Sequence, residues 1–227
     1  MTIPSPKPCR LFLFDLDGTL IDSRSDIAFS LNLALEHLNQ RSLPETRIAE
    51  FVGDGVQKLV ERLLREATGR PPDDSLIREC TLLFRKEYGK HLLDQTRLFP
   101  GVLQALDLLS WAKLAVVSNK PEGFCRRILE GLGVAERFCV ILGGDSTPNR
   151  KPSPEPLQKA MEVCAVSPEE TVMVGDSAAD IRAGAAAGVT TCGIPGNFRS
   201  KSELEEAGCD LLLDSLPRLA DYFCPPQ

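Results

Sequence analysis

The sequence has no apolar run approaching the roughly 18 residues of a membrane-spanning helix. Its opening residues, MTIPSPKPCR, lack the apolar centre of a secretion signal. Both absences predict a soluble, intracellular protein, cytoplasmic in location. No basic cluster relieves the formal net charge of −6, so neither nucleic acid nor a membrane surface is expected as a partner. The eight cysteines include no C-x-x-C pair and are scattered, which fits free, packed thiols better than disulfides. Only two histidines occur, His37 and His91, isolated on helical segments, and the single tryptophan, Trp111, reads as packing. No P-loop pattern is present, and GDGVQK at 53–58 lacks the third glycine of a dinucleotide fingerprint. Internal repeats and low-complexity tracts are also missing.

What is present is a chain of 227 residues, 43% hydrophobic and 26% charged. That is enough for a full core without cross-links, in one large domain or one domain with an insertion. Its most informative stretch is LFLFDLDGTL, residues 11–20. Four apolar residues closed by turn residues read as a buried strand, from Cys9 to Asp15, whose end emerges at a sheet edge. Asp15 and Asp17 then point the same way, and like charges held together require a cation, a shared proton or a functional demand. The plain alternative is a strand ending in an Asp-rich turn, with Gly18 at positive φ and Thr19 capping a helix.

After Thr19 the pattern becomes helical, in SDIAFSLNLALEHL, DGVQKLVERLLREAT and DSLIRECTLLFRKEYGKHLL. LFPGV at 98–102 marks a return, and LQALDLLSWA reads as the next helix. From Leu114 strand and helix segments alternate: KLAVVS, FCVILGG, TVMVGD, VTTCGI and CDLLLD are strands, each followed by a helix. Such alternation predicts an α/β fold with a mainly parallel sheet and helices on both faces. Residues 22–95 form an all-helical insertion, and 1–21 with 96–227 form the core. The proline-flanked ends, PSPKP and CPPQ, are expected to fray.

In an open parallel sheet, ligands bind beyond the carboxyl ends of the strands. The residues expected there are Asp15 and Asp17, Ser118 and Asn119, Lys151, and Asp176 with Asp180. Taken singly, each has a structural use as a cap, a turn or a solvated charge. Together they make one chemistry. Clustered carboxylates suit a hard cation such as Mg²⁺, which takes few protein ligands plus water and a phosphate oxygen. A lysine, a hydroxyl and an amide suit the remaining phosphate oxygens.

DLDGT at 15–19, SN at 118–119, Lys151 and GDSAAD at 175–180 resemble the four ordered motifs of the haloacid dehalogenase superfamily. The resemblance covers nearly the whole chain. It implies a Rossmann-like core with a helical cap, and the two-aspartate form is similar to the phosphatases and phosphomutases. VGDGV, FPGV, SNKP, KPSPEPL and VGDSAADIRAGAAAG look most like the phosphoglycolate phosphatases. Ser118 stands where many relatives carry threonine, which keeps the hydroxyl. The resemblance implies Asp15 as nucleophile and Asp17 as acid and base. It implies Mg²⁺ on Asp15, the Asp17 carbonyl and Asp176, with Asp180 orienting them from behind. Lys151, Ser118, Asn119 and the backbone around Gly18 would hold the phosphate of a small phosphorylated metabolite. Gly53, Asp54 and Gly55 are candidates for a cap segment facing the site, although a helix start capped by Asp54 explains them as well.

Overall fold

A computed structural model describes residues 7–53, 55–196, 198 and 200–226. It divides into two compact units, Met1–Ile21 with Leu98–Gln227, and Asp22–Arg97. The chain passes between them through Ile21–Asp22 and Arg97–Leu98, which form a two-stranded sheet.

The smaller unit is helical: α1 (Arg24–His37), α2 (Glu45–Ala49), α3 (Val56–Thr68) and α4 (Asp74–Tyr88). In α3, Leu59, Val60, Leu63, Leu64 and Ala67 form one buried stripe, the spacing expected of a half-buried helix. Helix α4 starts under an Asp73 cap, whose side chain accepts from Leu76 N at 2.8 Å. It stops at Tyr88 rather than running on to Leu93, because Gly89 follows and the Lys90 and His91 amides bond back to Glu87 and Tyr88. Helix α2 is too short for periodicity to register. Buried Asp26 in α1 accepts from Gln95 N, Thr96 N and Thr96 Oγ1 at 2.7–3.0 Å. It thereby ties the end of this unit to its first helix. Gly53 and Gly55 both have positive φ, and the N-cap of α3 is Gly55, without a side-chain cap. Asp54 lies outside the described residues.

The larger unit is built on a six-stranded sheet. Its strands are β1 (Leu11–Phe14), β2 (Lys113–Val117), β3 (Val140–Leu142), β4 (Thr171–Gly175), β5 (Thr190–Gly193) and β6 (Leu211–Leu212). The order is β3-β2-β1-β4-β5-β6, with every pairing parallel. Helices α5 (Val102–Leu108), α6 (Glu122–Gly131), α7 (Glu155–Cys164), α8 (Ala178–Ala187), α9 (Lys201–Glu206) and α10 (Leu219–Tyr222) complete the unit. This is the α/β architecture that the alternation predicts.

All four residues of β1 are buried, as a central parallel strand requires. Their alternation serves both faces. Leu11 and Leu13 pack in a cluster with Leu157, Ala160 and Met161 of α7 and Ala183 and Ala187 of α8. On the other face, the Phe12 ring meets Phe14, Trp111 and Phe223 at centroid distances of 5.5–6.2 Å. Each such side chain contributes about 1.5–3 kcal/mol through burial. The eight cysteines are free and five are buried.

Of the proline-flanked ends PSPKP and CPPQ, residues 7–8 and 224–226 lie within the described residues. Lys7–Pro8 pairs in parallel with Phe223–Cys224, and Cys9 N donates to the Cys224 carbonyl at 3.0 Å. The Phe223 ring lies edge-on to Phe12 at 5.5 Å, and the fraying expected of the two ends falls in part outside the described residues.

Candidate active site

From β1 the chain works outward through β2 to β3, then returns to the other side of β1 for β4, β5 and β6. The loops leaving β1 and β4 therefore diverge and open a crevice at their carboxyl ends. Asp15 follows β1 directly and Asp176 follows β4 directly. The Asp15 amide donates to the Val174 carbonyl at 2.9 Å, extending the ladder one step past the strand and fixing the backbone of this aspartate.

The turn after β1 is tight. Leu16 O accepts from the amides of Thr19, Leu20 and Ile21, and Gly18 sits at φ +92°. A Cβ on Gly18 would lie 2.2 Å from Asp176 Oδ2. Glycine here is thus what lets the two motif segments approach. The Gly18 amide donates to the Ile21 carbonyl at 3.0 Å. Thr19 Oγ1 donates to Asp176 Oδ1 at 3.3 Å.

Lys151 is 3% exposed. Its ammonium donates to Asp15 Oδ1 at 2.8 Å, Asp180 Oδ1 at 2.6 Å and the Val117 carbonyl at 2.6 Å. It therefore joins the ends of β1 and β2 to the start of α8. Asp180 Oδ2 accepts from Ser177 N at 3.0 Å and Ser177 Oγ at 2.7 Å, the reciprocal capping arrangement at the start of α8. Ser118 is buried, with its amide donating to Leu142 O at 3.0 Å. Asn119 Nδ2 donates to the Lys151 carbonyl at 3.0 Å. The structure therefore brings Asp15, Ser118, Asn119, Lys151, Asp176 and Asp180 together at one sheet edge.

Asp17 is held by a residue that the sequence reading missed. Lys120 Nζ lies 2.6 and 2.9 Å from the two Asp17 carboxylate oxygens, and Lys120 is only 7% exposed. The available signal was its place directly after Asn119 at a strand end, where a lysine beside a hydroxyl and an amide could have been read with them.

Charge and burial compete at this site. Burial pushes the Asp15 carboxyl up to about 6; Lys151 opposes the rise, and Asp180 and Asp17 add to it. Burial alone would lower Lys151, but Asp15 and Asp180 outweigh it and hold the ammonium above its ordinary value. The site is thus a set of carboxylates paired with two buried lysines, Lys151 on Asp15 and Asp180 and Lys120 on Asp17.

One oxygen from each of Asp15, Asp176 and Asp180 lies within 4.8 Å of the others. All are hard oxygen donors, the set that Mg²⁺ takes. Asp180 already accepts from Lys151 and Ser177 through both oxygens. Asp15 and Asp176 are therefore the better direct ligands, and the cluster fits a divalent cation.

A profile of the haloacid dehalogenase-like hydrolases matches residues 12–194. The chain is 39% identical over 219 residues to a phosphoglycolate phosphatase of Neisseria meningitidis, covering 94% of this chain and 93% of that protein. It is 35% identical over 213 residues to a phosphoglycolate phosphatase of Nitrosospira multiformis, covering 93% and 94% respectively. Among solved structures it is similar to a predicted phosphoglycolate phosphatase of Haemophilus somnus, at a TM-score of 0.86 and 30% identity, covering 93% of this chain and 96% of that one.

Proposed function

Because the chain belongs to the haloacid dehalogenase-like hydrolases, we propose that it is a Mg²⁺-dependent phosphomonoesterase that converts 2-phosphoglycolate to glycolate and phosphate. The observation that carries this reading is the placement of Asp15. It stands at the carboxyl end of the central strand, fixed by Lys151, with Asp176 beside it and a second aspartate two residues on. The substrate follows from the relatives named as phosphoglycolate phosphatases.

In this reading Asp15 attacks phosphorus and becomes an aspartyl phosphate. Asp17 gives a proton to the departing alkoxide and then takes one from the water that hydrolyses the intermediate. Lys151 balances Asp15 and the transferring group, while Ser118 and Asn119 hold equatorial oxygens. Asp15, Asp176 and the Asp17 carbonyl would hold Mg²⁺, which when bound neutralises charge on the phosphoryl oxygens. The helical unit, expected over 22–95, acts as a cap that excludes water and selects the ester. Among the described residues no helix is long and apolar enough to cross a membrane.

The test is phosphate release from 2-phosphoglycolate, pyrophosphate, nucleotides and hexose phosphates, with Mg²⁺ and with chelator. Metal-dependent release favouring 2-phosphoglycolate supports the whole reading. Release favouring another ester keeps the chemistry and replaces the substrate. Sugar-phosphate isomerisation with slow hydrolysis points to a mutase instead.

A further inference from the structure

We propose that Cys139 and Cys164 form a thiol-oxidation site, at which a peroxide converts the pair to a disulfide that staples edge strand β3 to the end of α7 and stabilises the larger unit. The inference does not depend on the phosphatase reading.

The two Sγ atoms lie 2.7 Å apart, although the residues are 25 positions apart in sequence. A disulfide bond is about 2.05 Å long, so the sulfurs need to close by only about 0.65 Å to bond. Both residues are held from the start of β2. The Cys139 amide donates to the Leu114 carbonyl at 2.8 Å, and the Lys113 ammonium donates to the Cys164 carbonyl at 2.7 Å. Cys164 ends α7, where Ala165 turns left-handed and the Ala165 and Val166 amides bond back to Glu162 and Met161. The fold itself therefore brings the two sulfurs together.

The two thiols differ in access. Cys139 is exposed, whereas Cys164 is buried. Burial first, and then the Cys139 sulfur, push the Cys164 thiol up to about 12, with Lys113 opposing the rise. An oxidant thus reaches Cys139 first, and Cys164 resolves the product. In the first step the Cys139 sulfur attacks one oxygen of hydrogen peroxide. The O–O bond breaks and water leaves, giving a sulfenic acid at Cys139. In the second step the Cys164 sulfur attacks the Cys139 sulfur. The S–S bond forms, the S–O bond breaks, and the hydroxyl departs with the Cys164 proton as a second water. Two thiols lose two electrons in all, and one peroxide gains them. A dithiol reductant reverses the change by exchange.

Cys139 immediately precedes β3, while Lys151 lies in the chain between the end of β3 and the start of α7. The bond therefore closes a ring that contains the Lys151 segment but sits at the far end of β3 from it. In the chain-entropy account such a ring acts mainly by restricting the unfolded chain. Its consequence is stability rather than a change of shape.

The test treats the folded full chain, in chelator, with one equivalent of hydrogen peroxide. The product is digested without reductant and mapped by mass spectrometry, and melting is followed before and after treatment. The chain should lose two hydrogens in mass, with Cys139 and Cys164 in one linked pair of peptides. Tm should rise by about 5–10 °C, the scale for a loop of this length in a chain of this size, and fall back with dithiothreitol. Cys139→Ser, altered at an exposed position, should melt close to the reduced parent and show no rise with peroxide. Treated parent that keeps all eight thiols, links other cysteines, or carries sulfinic acid at Cys139 without the link overturns the site. That mapping decides the matter even where the variant fails to fold. A link between Cys139 and Cys164 with unchanged or lowered Tm, or a rise that persists in Cys139→Ser, overturns the stabilising role.

Discussion

Replacing Lys151 by methionine should cost more stability the higher the pH. The Lys151 ammonium meets Asp15, Asp180 and the Val117 carbonyl, all within 2.8 Å, at a site that is 3% exposed. Removing one partner of a buried pair costs about 3–5 kcal/mol, because the charge left behind has neither water nor a counter-ion. Asp15 can escape part of this cost by keeping its proton. With Lys151 present, burial already raises Asp15 from 3.8 to about 6, and without Lys151 it rises further. A carboxyl raised on folding adds stability that is complete below its unfolded value and lost as pH climbs through its folded one. At pH 5 the variant's Asp15 is therefore neutral, and the penalty is the lost hydrogen bonds, about 1–2 kcal/mol. At pH 8 the penalty reaches the full 3–5 kcal/mol, or about 6–20 °C in Tm for a chain of this size. Melting curves of both proteins without metal at pH 5, 6, 7 and 8 measure it. A penalty that is flat with pH, or that shrinks as pH rises, would refute the reasoning.

Asp15→Asn should retain native circular dichroism and melting cooperativity while losing all detectable turnover; measurable steady-state turnover would remove Asp15 as nucleophile. Gly18→Ala should cost about 1–2 kcal/mol through its positive φ. It should also weaken Mg²⁺ binding by about 10-fold or more, because its Cβ falls 2.2 Å from Asp176 Oδ2; calorimetric titration reads the second effect separately from the first. In the absence of cation, Asp15 gains its proton below about 6, so Mg²⁺ and a proton compete for it. The acid limb of kcat/KM should therefore move to lower pH as Mg²⁺ is raised, and a limb indifferent to Mg²⁺ would contradict that competition.

The sheet was legible because a buried parallel strand leaves a short apolar run ended by turn residues, as LFLFDLDG does. Helix α3 was legible through its stripe at helical spacing. Helix α2, five residues long, leaves no period to read. The pairing of Lys7–Pro8 with Phe223–Cys224 joins residues more than 200 positions apart, and nothing local signals it. Within the site, residue types at strand ends identified the carboxylates and Lys151, because strand order alone brings them together. The bond from Lys120 to Asp17 spans two strand ends, and only the path of the loop after β2 brings its ammonium there. The use of Gly18 likewise depends on Asp176, a partner 158 residues away.

The central claim is that Asp15 carries the phosphoryl group. The most direct measurement is to acid-quench the protein during turnover of 2-phosphoglycolate with Mg²⁺, reduce with borohydride and map the peptides by mass spectrometry. An aspartyl phosphate is reduced to homoserine, so the account predicts homoserine at position 15, absent in Asp15→Asn and absent without substrate. Active protein in which Asp15 remains unmodified under conditions that trap a phosphoprotein, with the label at another residue, would contradict it.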